Sequence, residues 1–137
     1  MTASSTYLFK QADVFDEIIS YNVILYNNHS FYSDGLLTPS QLLSEAKAIG
    51  LEGIALTDHD TVDGLPEFLR MSEGQGIIAI PGVELSTEYQ GTESHILGYG
   101  INYQDPKLLS CLSRVLASRK VRAEKILQLL ARQGIKL

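Results

Sequence analysis

Three short apolar runs, Val23–Tyr26, Gly53–Thr57 and Ile77–Ile80, alternate with segments of helical period. This alternation constrains the fold more than any other feature. Short apolar runs without polar interruption suit strands covered on both faces. A helix between successive strands is the connection that parallel pairing requires. The pattern therefore predicts an α/β chain with a largely parallel sheet.

The first helix has the clearest start. Thr38 can cap it, Pro39 fits the first helical position, and Gln41 completes a capping box. Leu42, Leu43, Ala46 and Ile49 then form an apolar stripe, and Gly50 ends the helix. A second helix is expected over Leu65 to Ser72, broken by Gly74 and Gly76. Pro81-Gly82 reads as a turn, with a strand from Val83 to Tyr89 and another over His95 to Tyr99. From Pro106 onward, apolar residues keep a helical period among basic ones. Two helices or one bent helix are expected there, ending near Gly134. Residues 1–20 read as a short amphipathic helix or a tail.

Length and charge bound the function. A chain of 137 residues fits one domain with a buried core. Its net charge of −5 argues against a protein that coats nucleic acid generally, and no stable DNA binding is expected. Cys111 is the only cysteine, so no internal disulfide can form and a reducing compartment is expected. No apolar run reaches membrane-spanning length and no secretory signal is visible. A cytoplasmic setting follows as the expectation.

The chain holds three histidines, His29, His59 and His95, each at or beside the end of an expected strand. His59 lies between Asp58 and Asp60, and Asp34 follows His29 by five residues. Glu84 opens the strand after Pro81-Gly82. Ligands in α/β sheets gather at the carboxyl ends of strands, so these residues can converge. Histidines and carboxylates without a thiolate suit zinc, manganese or iron. Each residue alone has a plainer reading. A histidine at a strand end is ordinarily structural, Asp34-Gly35 is a turn, and Asp58 and Asp60 are possible helix caps.

Five segments occur in the order of the polymerase and histidinol phosphatase (PHP) family. They are His29-Ser30-Phe31-Tyr32-Ser33-Asp34-Gly35, Leu37-Thr38-Pro39, Ala55-Leu56-Thr57-Asp58-His59-Asp60-Thr61, Ile80-Pro81-Gly82-Val83-Glu84-Leu85-Ser86 and His95-Ile96-Leu97-Gly98-Tyr99. The chain most resembles the stand-alone phosphoesterases of that family that act on nucleoside 3′,5′-bisphosphates and short RNA 5′ ends. The resemblance covers about residues 23 to 137.

The resemblance implies part of a distorted seven-stranded β/α barrel. It implies a cleft at the strand ends holding up to three manganese, zinc or iron ions, with fewer expected here. His29, Asp34, His59, Glu84 and His95 look like the ligands, with Glu84 bridging two ions. Asp58 and Asp60 would orient His59 and the ion-bound water. The implied reaction is hydrolysis of a nucleotide phosphomonoester or a short RNA 5′ end. Residues 106–137 resemble the start of the family's inserted helical segment, and 21–105 the first half of its barrel. Arg119 and Arg122 are then candidates for a substrate phosphate; a solvated helix face is the plainer reading.

The chain departs from the family in two ways. The opening motif Asp-x-His-x-His reads Leu25-Tyr26-Asn27-Asn28-His29, which replaces an Asp and a His. The family also continues beyond the segment that matches Leu137. A half-domain is therefore expected. It would be incomplete as an enzyme, and either self-association or a second chain would complete the barrel. A non-catalytic structural module is the other reading, and Leu25 and Asn27 favour it.

Overall fold

The computed structural model describes residues 24–135. The expected helix or tail over residues 1–20, and Val23 of the first strand, lie outside them. The elements in chain order are β1 (Ile24–Leu25), α1 (Pro39–Ala48), β2 (Gly53–Leu56), α2 (Leu65–Ser72), β3 (Ile78–Tyr89), β4 (Thr92–Tyr99) and α3 (Pro106–Arg132). They form two compact units, which divide between Tyr103 and Gln104.

The first unit is built on one four-stranded sheet of order β1-β2-β3-β4. β1, β2 and β3 are parallel, and β4 is antiparallel to β3. All four residues of β2 are buried, as a central strand covered on both faces requires. Ala55 and Ile80 pack on one face with Ile24, Ile78 and Tyr99. α1 lies against α2 and β2, and α2 lies against β3. Phe68 of α2 is fully buried. Burial of a side chain of that size contributes about 2 to 3 kcal/mol.

α1 begins as its sequence predicts. The Thr38 side chain accepts from the Gln41 N–H, and the Gln41 side chain accepts from the Thr38 N–H.

The expected turn at Pro81-Gly82 is not there. β3 runs unbroken through both residues. Up to Pro81 it pairs with β2, and from Gly82 it pairs with β4. Proline, which has no N–H, stands where the strand changes neighbours, so no sheet hydrogen bond is lost. Gly82 serves close approach. A Cβ there would lie 2.7 Å from Thr57 Cγ2 and 2.8 Å from the Gly98 carbonyl oxygen.

The second unit contains α3, a single helix of 27 residues, where the sequence left open two helices or one bent helix. Asp105 caps it, with Oδ1 accepting from the N–H groups of Lys107 and Leu108. Among the described residues no helix is long and apolar enough to cross a membrane.

Candidate metal centre

The loop after β1 carries His29 and Asp34. Its path is set by Asp58, which is buried at the end of β2. The Asp58 carboxylate accepts from the Ser30 N–H at 2.6 Å, from Ser30 Oγ at 2.7 Å and from Ser33 Oγ at 2.8 Å. These are charge-assisted bonds in a buried place, so they fix the loop strongly. Gly35 closes the same loop. A Cβ there would lie 2.1 Å from the His29 carbonyl oxygen, which only glycine permits.

At the altered opening motif, Asn27 and its neighbour Asn28 hydrogen-bond to other parts of the first unit. Asn27 Oδ1 accepts from Thr57 Oγ1 at 2.9 Å. Asn28 Nδ2 donates to the carbonyls of Leu25 and Ala55. The two amides thus stitch the end of β1 to the end of β2.

His59 and Glu84 are brought side by side by a parallel bridge between their backbones. The Glu84 N–H donates to the Asp58 carbonyl, and the Asp60 N–H donates to the Glu84 carbonyl. Asp60 sits at φ 54°, in the left-handed region, and its Oδ1 accepts from the Ser86 N–H at 2.8 Å. Asp58 and Asp60 therefore fix backbone around Glu84 and His29. Asp58 bonds to the two serines and not to the His59 ring.

The five side chains expected as ligands come together. Glu84 is their centre. Its Oε2 lies 3.2 Å from His29 Nε2 and its Oε1 2.7 Å from His95 Nδ1. Asp34 lies 3.4 Å from His29 Nδ1 and 3.9 Å from His59 Nε2. The rings of His29 and His59 stack at 4.5 Å, and His95 meets His59 edge-on at 4.8 Å. His29, His59 and Glu84 each offer one ligand atom within 4.8 Å of the others. Arg119 and Arg122 lie on α3, in the second unit, and both are exposed.

This donor set suits a divalent cation. Buried polar atoms ordinarily find partners. Here His59 Nδ1 is buried without a hydrogen bond, and His29 Nδ1 and Glu84 Oε2 make none either, although Asp34 and His29 Nε2 lie within 3.4 Å of them. Two imidazoles and a carboxylate gathered in one place suit a divalent cation.

One group at the rim, Glu93, was not visible in the sequence. Glu93 lies 3.6 Å from His95 Nε2. Burial lowers the His95 pKa, but bonds to Glu84 and Glu93 outweigh it, and the net shift is upward. Tyr99 packs edge-on against Tyr26 at 5.7 Å. Burial raises the pKa of its hydroxyl, and the charges of Glu84 and Tyr26 add to this. Glu93 and Tyr26 belong to no recognisable motif. Their proximity depends on the β3–β4 register and on the path of the first loop.

Comparison with known proteins fits this geometry. The family model for the PHP domain matches residues 26–135. A 5′-3′ exoribonuclease of Haemophilus influenzae is 39% identical over 78% of this chain and 39% of its own length. A 3′,5′-nucleoside bisphosphate phosphatase of Chromobacterium violaceum is 36% identical over 78% of this chain and 38% of its own. An amidohydrolase structure from Chromobacterium violaceum, solved with sulfate bound, superposes with a TM-score of 0.76 at 35% identity. It covers 83% of this chain and 40% of that one. The chain thus spans about two-fifths of the length of these relatives, and its mixed sheet with flanking helices corresponds to part of their β/α barrel. The matched span of 110 residues, with its histidines and Glu84 gathered at the strand ends, makes this chain a member of the PHP domain family.

Proposed function

We propose that this chain carries part of the centre of a metal-dependent phosphoesterase, acting on nucleotide phosphomonoesters or short RNA 5′ ends. The observation that carries the reading is the meeting of His29, His59 and Glu84 within 4.8 Å. These three would hold the ion, with His95 and Asp34 as further ligands at the rim. A bound divalent cation would lower the pKa of water and stabilise charge developing on the phosphate oxygens. Manganese, zinc and iron all suit the donors.

The chain's own residues have distinct tasks in this reading. Glu84, between His29 and His95, orients both rings. Asp58 holds the His29 loop through Ser30 and Ser33, so His29 keeps its place when the site is loaded. Asp60 fixes the backbone beside Glu84 through Ser86. Arg119 and Arg122 remain proposed phosphate contacts. The exoribonuclease and bisphosphate phosphatase relatives support the substrate class, and the sulfate in the solved relative supports an anion site.

The test is release of phosphate from a nucleoside 3′,5′-bisphosphate by the purified chain with added manganese, beside a His59→Ala control. Manganese bound by the parent chain and lost in His59→Ala is the expected result, with release of phosphate measured beside it. No bound manganese, or equal binding by both proteins, would overturn the reading.

A further inference from the structure

Charge is segregated along this chain. α3 carries seven Lys or Arg residues and one acidic residue, Glu124, a net charge of +6. Residues 24–103 carry two basic and eleven acidic residues, a net charge of −9. A helix that merely faces solvent usually interleaves the two signs, with acid–base pairs three or four residues apart. α3 offers that spacing to Glu124 alone.

Four of the seven basic residues are also ordered. Lys107, Arg114, Lys125 and Arg132 are separated by 7, 11 and 7 residues. At about 3.6 residues per turn, they return to within about 20° of one another around the helix. At a rise of about 1.5 Å per residue, the stripe is about 37 Å long. Leu108, Leu112, Val115, Leu116, Ile126 and Leu130 lie about 90° to 190° around the helix from the stripe, in a sector that also holds Arg119, while Val121 lies beside the stripe. All four stripe residues are exposed, and among the described residues none of them forms an ion pair.

We infer that this stripe is a track for the phosphate backbone of a single-stranded oligonucleotide. The choice of ligand rests on the proposed phosphoesterase reading, which already places a nucleotide phosphate at this protein. A narrow line of lysines and arginines matches a line of phosphates, which gives affinity and register without reading bases. α3 contains no Phe, Tyr or Trp, so it supplies no stacking platform. Binding is therefore insensitive to base sequence.

The test is fluorescence anisotropy of the full chain with a 3′-labelled, 5′-phosphorylated RNA about 12 nucleotides long, in EDTA over a salt series. Four phosphate contacts predict a log–log salt slope of about −2.8, or about a fifty-fold loss of affinity between about 50 and 200 mM salt. The K107A/R114A and K125A/R132A pairs should each reduce that slope by about half, with unchanged helical circular dichroism. The pair K47A/R70A, outside the stripe, should bind as the parent does. Equal affinity and slope in the parent and both stripe pairs would overturn the inference. So would tighter binding of a duplex DNA of the same length, or salt-sensitive dimerisation in sedimentation without RNA binding. EDTA separates this result from the metal centre, which metal titration of the same protein tests by itself. Either reading can then fail while the other stands.

Discussion

Residues 24–103 and helix α3 carry opposite charge and use it differently. In the first unit the key carboxylates are buried and engaged. Asp58 has three hydrogen-bond donors, and Glu84 lies between His29 and His95. Burial makes such groups costly to leave without partners, so the surrounding backbone is specified closely. In α3 the charges are exposed, and most of its apolar side chains are exposed too. Exposed charges contribute little to stability and act mainly through the field they present. One unit fixes geometry, and the other offers a surface.

The contrast predicts where substitutions act. The largest effect is expected at Asp58→Ala, which strands Ser30 and Ser33 in a buried place. It should lower unfolding free energy by about 4 kcal/mol, measured by urea denaturation. Next is Glu84→Ala, which removes the centre of the ligand cluster. Affinity for manganese in calorimetry should fall at least about 100-fold. Leu127→Ala on α3, a residue half exposed, should leave that affinity unchanged. Gly35→Ala pushes a Cβ against the His29 carbonyl and should weaken ion binding about tenfold in the same assay. On the other unit, Asp105→Ala removes only a helix cap. It should cost about 1 kcal/mol, seen as reduced helicity on heating.

The smallest expected effect is a pH shift. Ion binding needs a neutral His95, and Glu84 and Glu93 hold its pKa above the ordinary value. Ion affinity should therefore fall as pH drops through that raised pKa and recover above it. Glu93→Gln removes one of the two carboxylates and should move the midpoint of this fall to lower pH. Because Glu93 is exposed, the shift should be under about one unit. Titrating the affinity of both proteins against pH checks the sign. A midpoint that moved upward would contradict it.

The histidines of the candidate site were legible at strand ends, but the ligand set with Asp34 and Glu84 came from the resemblance to the PHP family. His29, His59 and His95 each follow or enter an apolar run, and the sheet order brings those ends together. The capping box at Thr38 was legible for the same local reason. Pro81-Gly82 misled because proline and glycine signal a turn by propensity. In β3 they mark the exchange of one strand partner for another, a property of the whole sheet. Ser30, Ser33 and Thr57 were silent because hydroxyl residues are common and their partners lie 25 to 30 residues away. The change in the opening motif was visible, but the contacts of its residues were not. Only the structure shows Asn27 and Asn28 tied to the end of β2.

The central claim is that His29, His59 and Glu84, with His95, hold a divalent cation. Elemental analysis of chelator-stripped protein, reloaded with manganese and desalted, tests it most directly. The account predicts about one equivalent or more bound to the parent chain and less than about a tenth as much on Glu84→Gln. Equal metal on both proteins, or none on the parent, would contradict it.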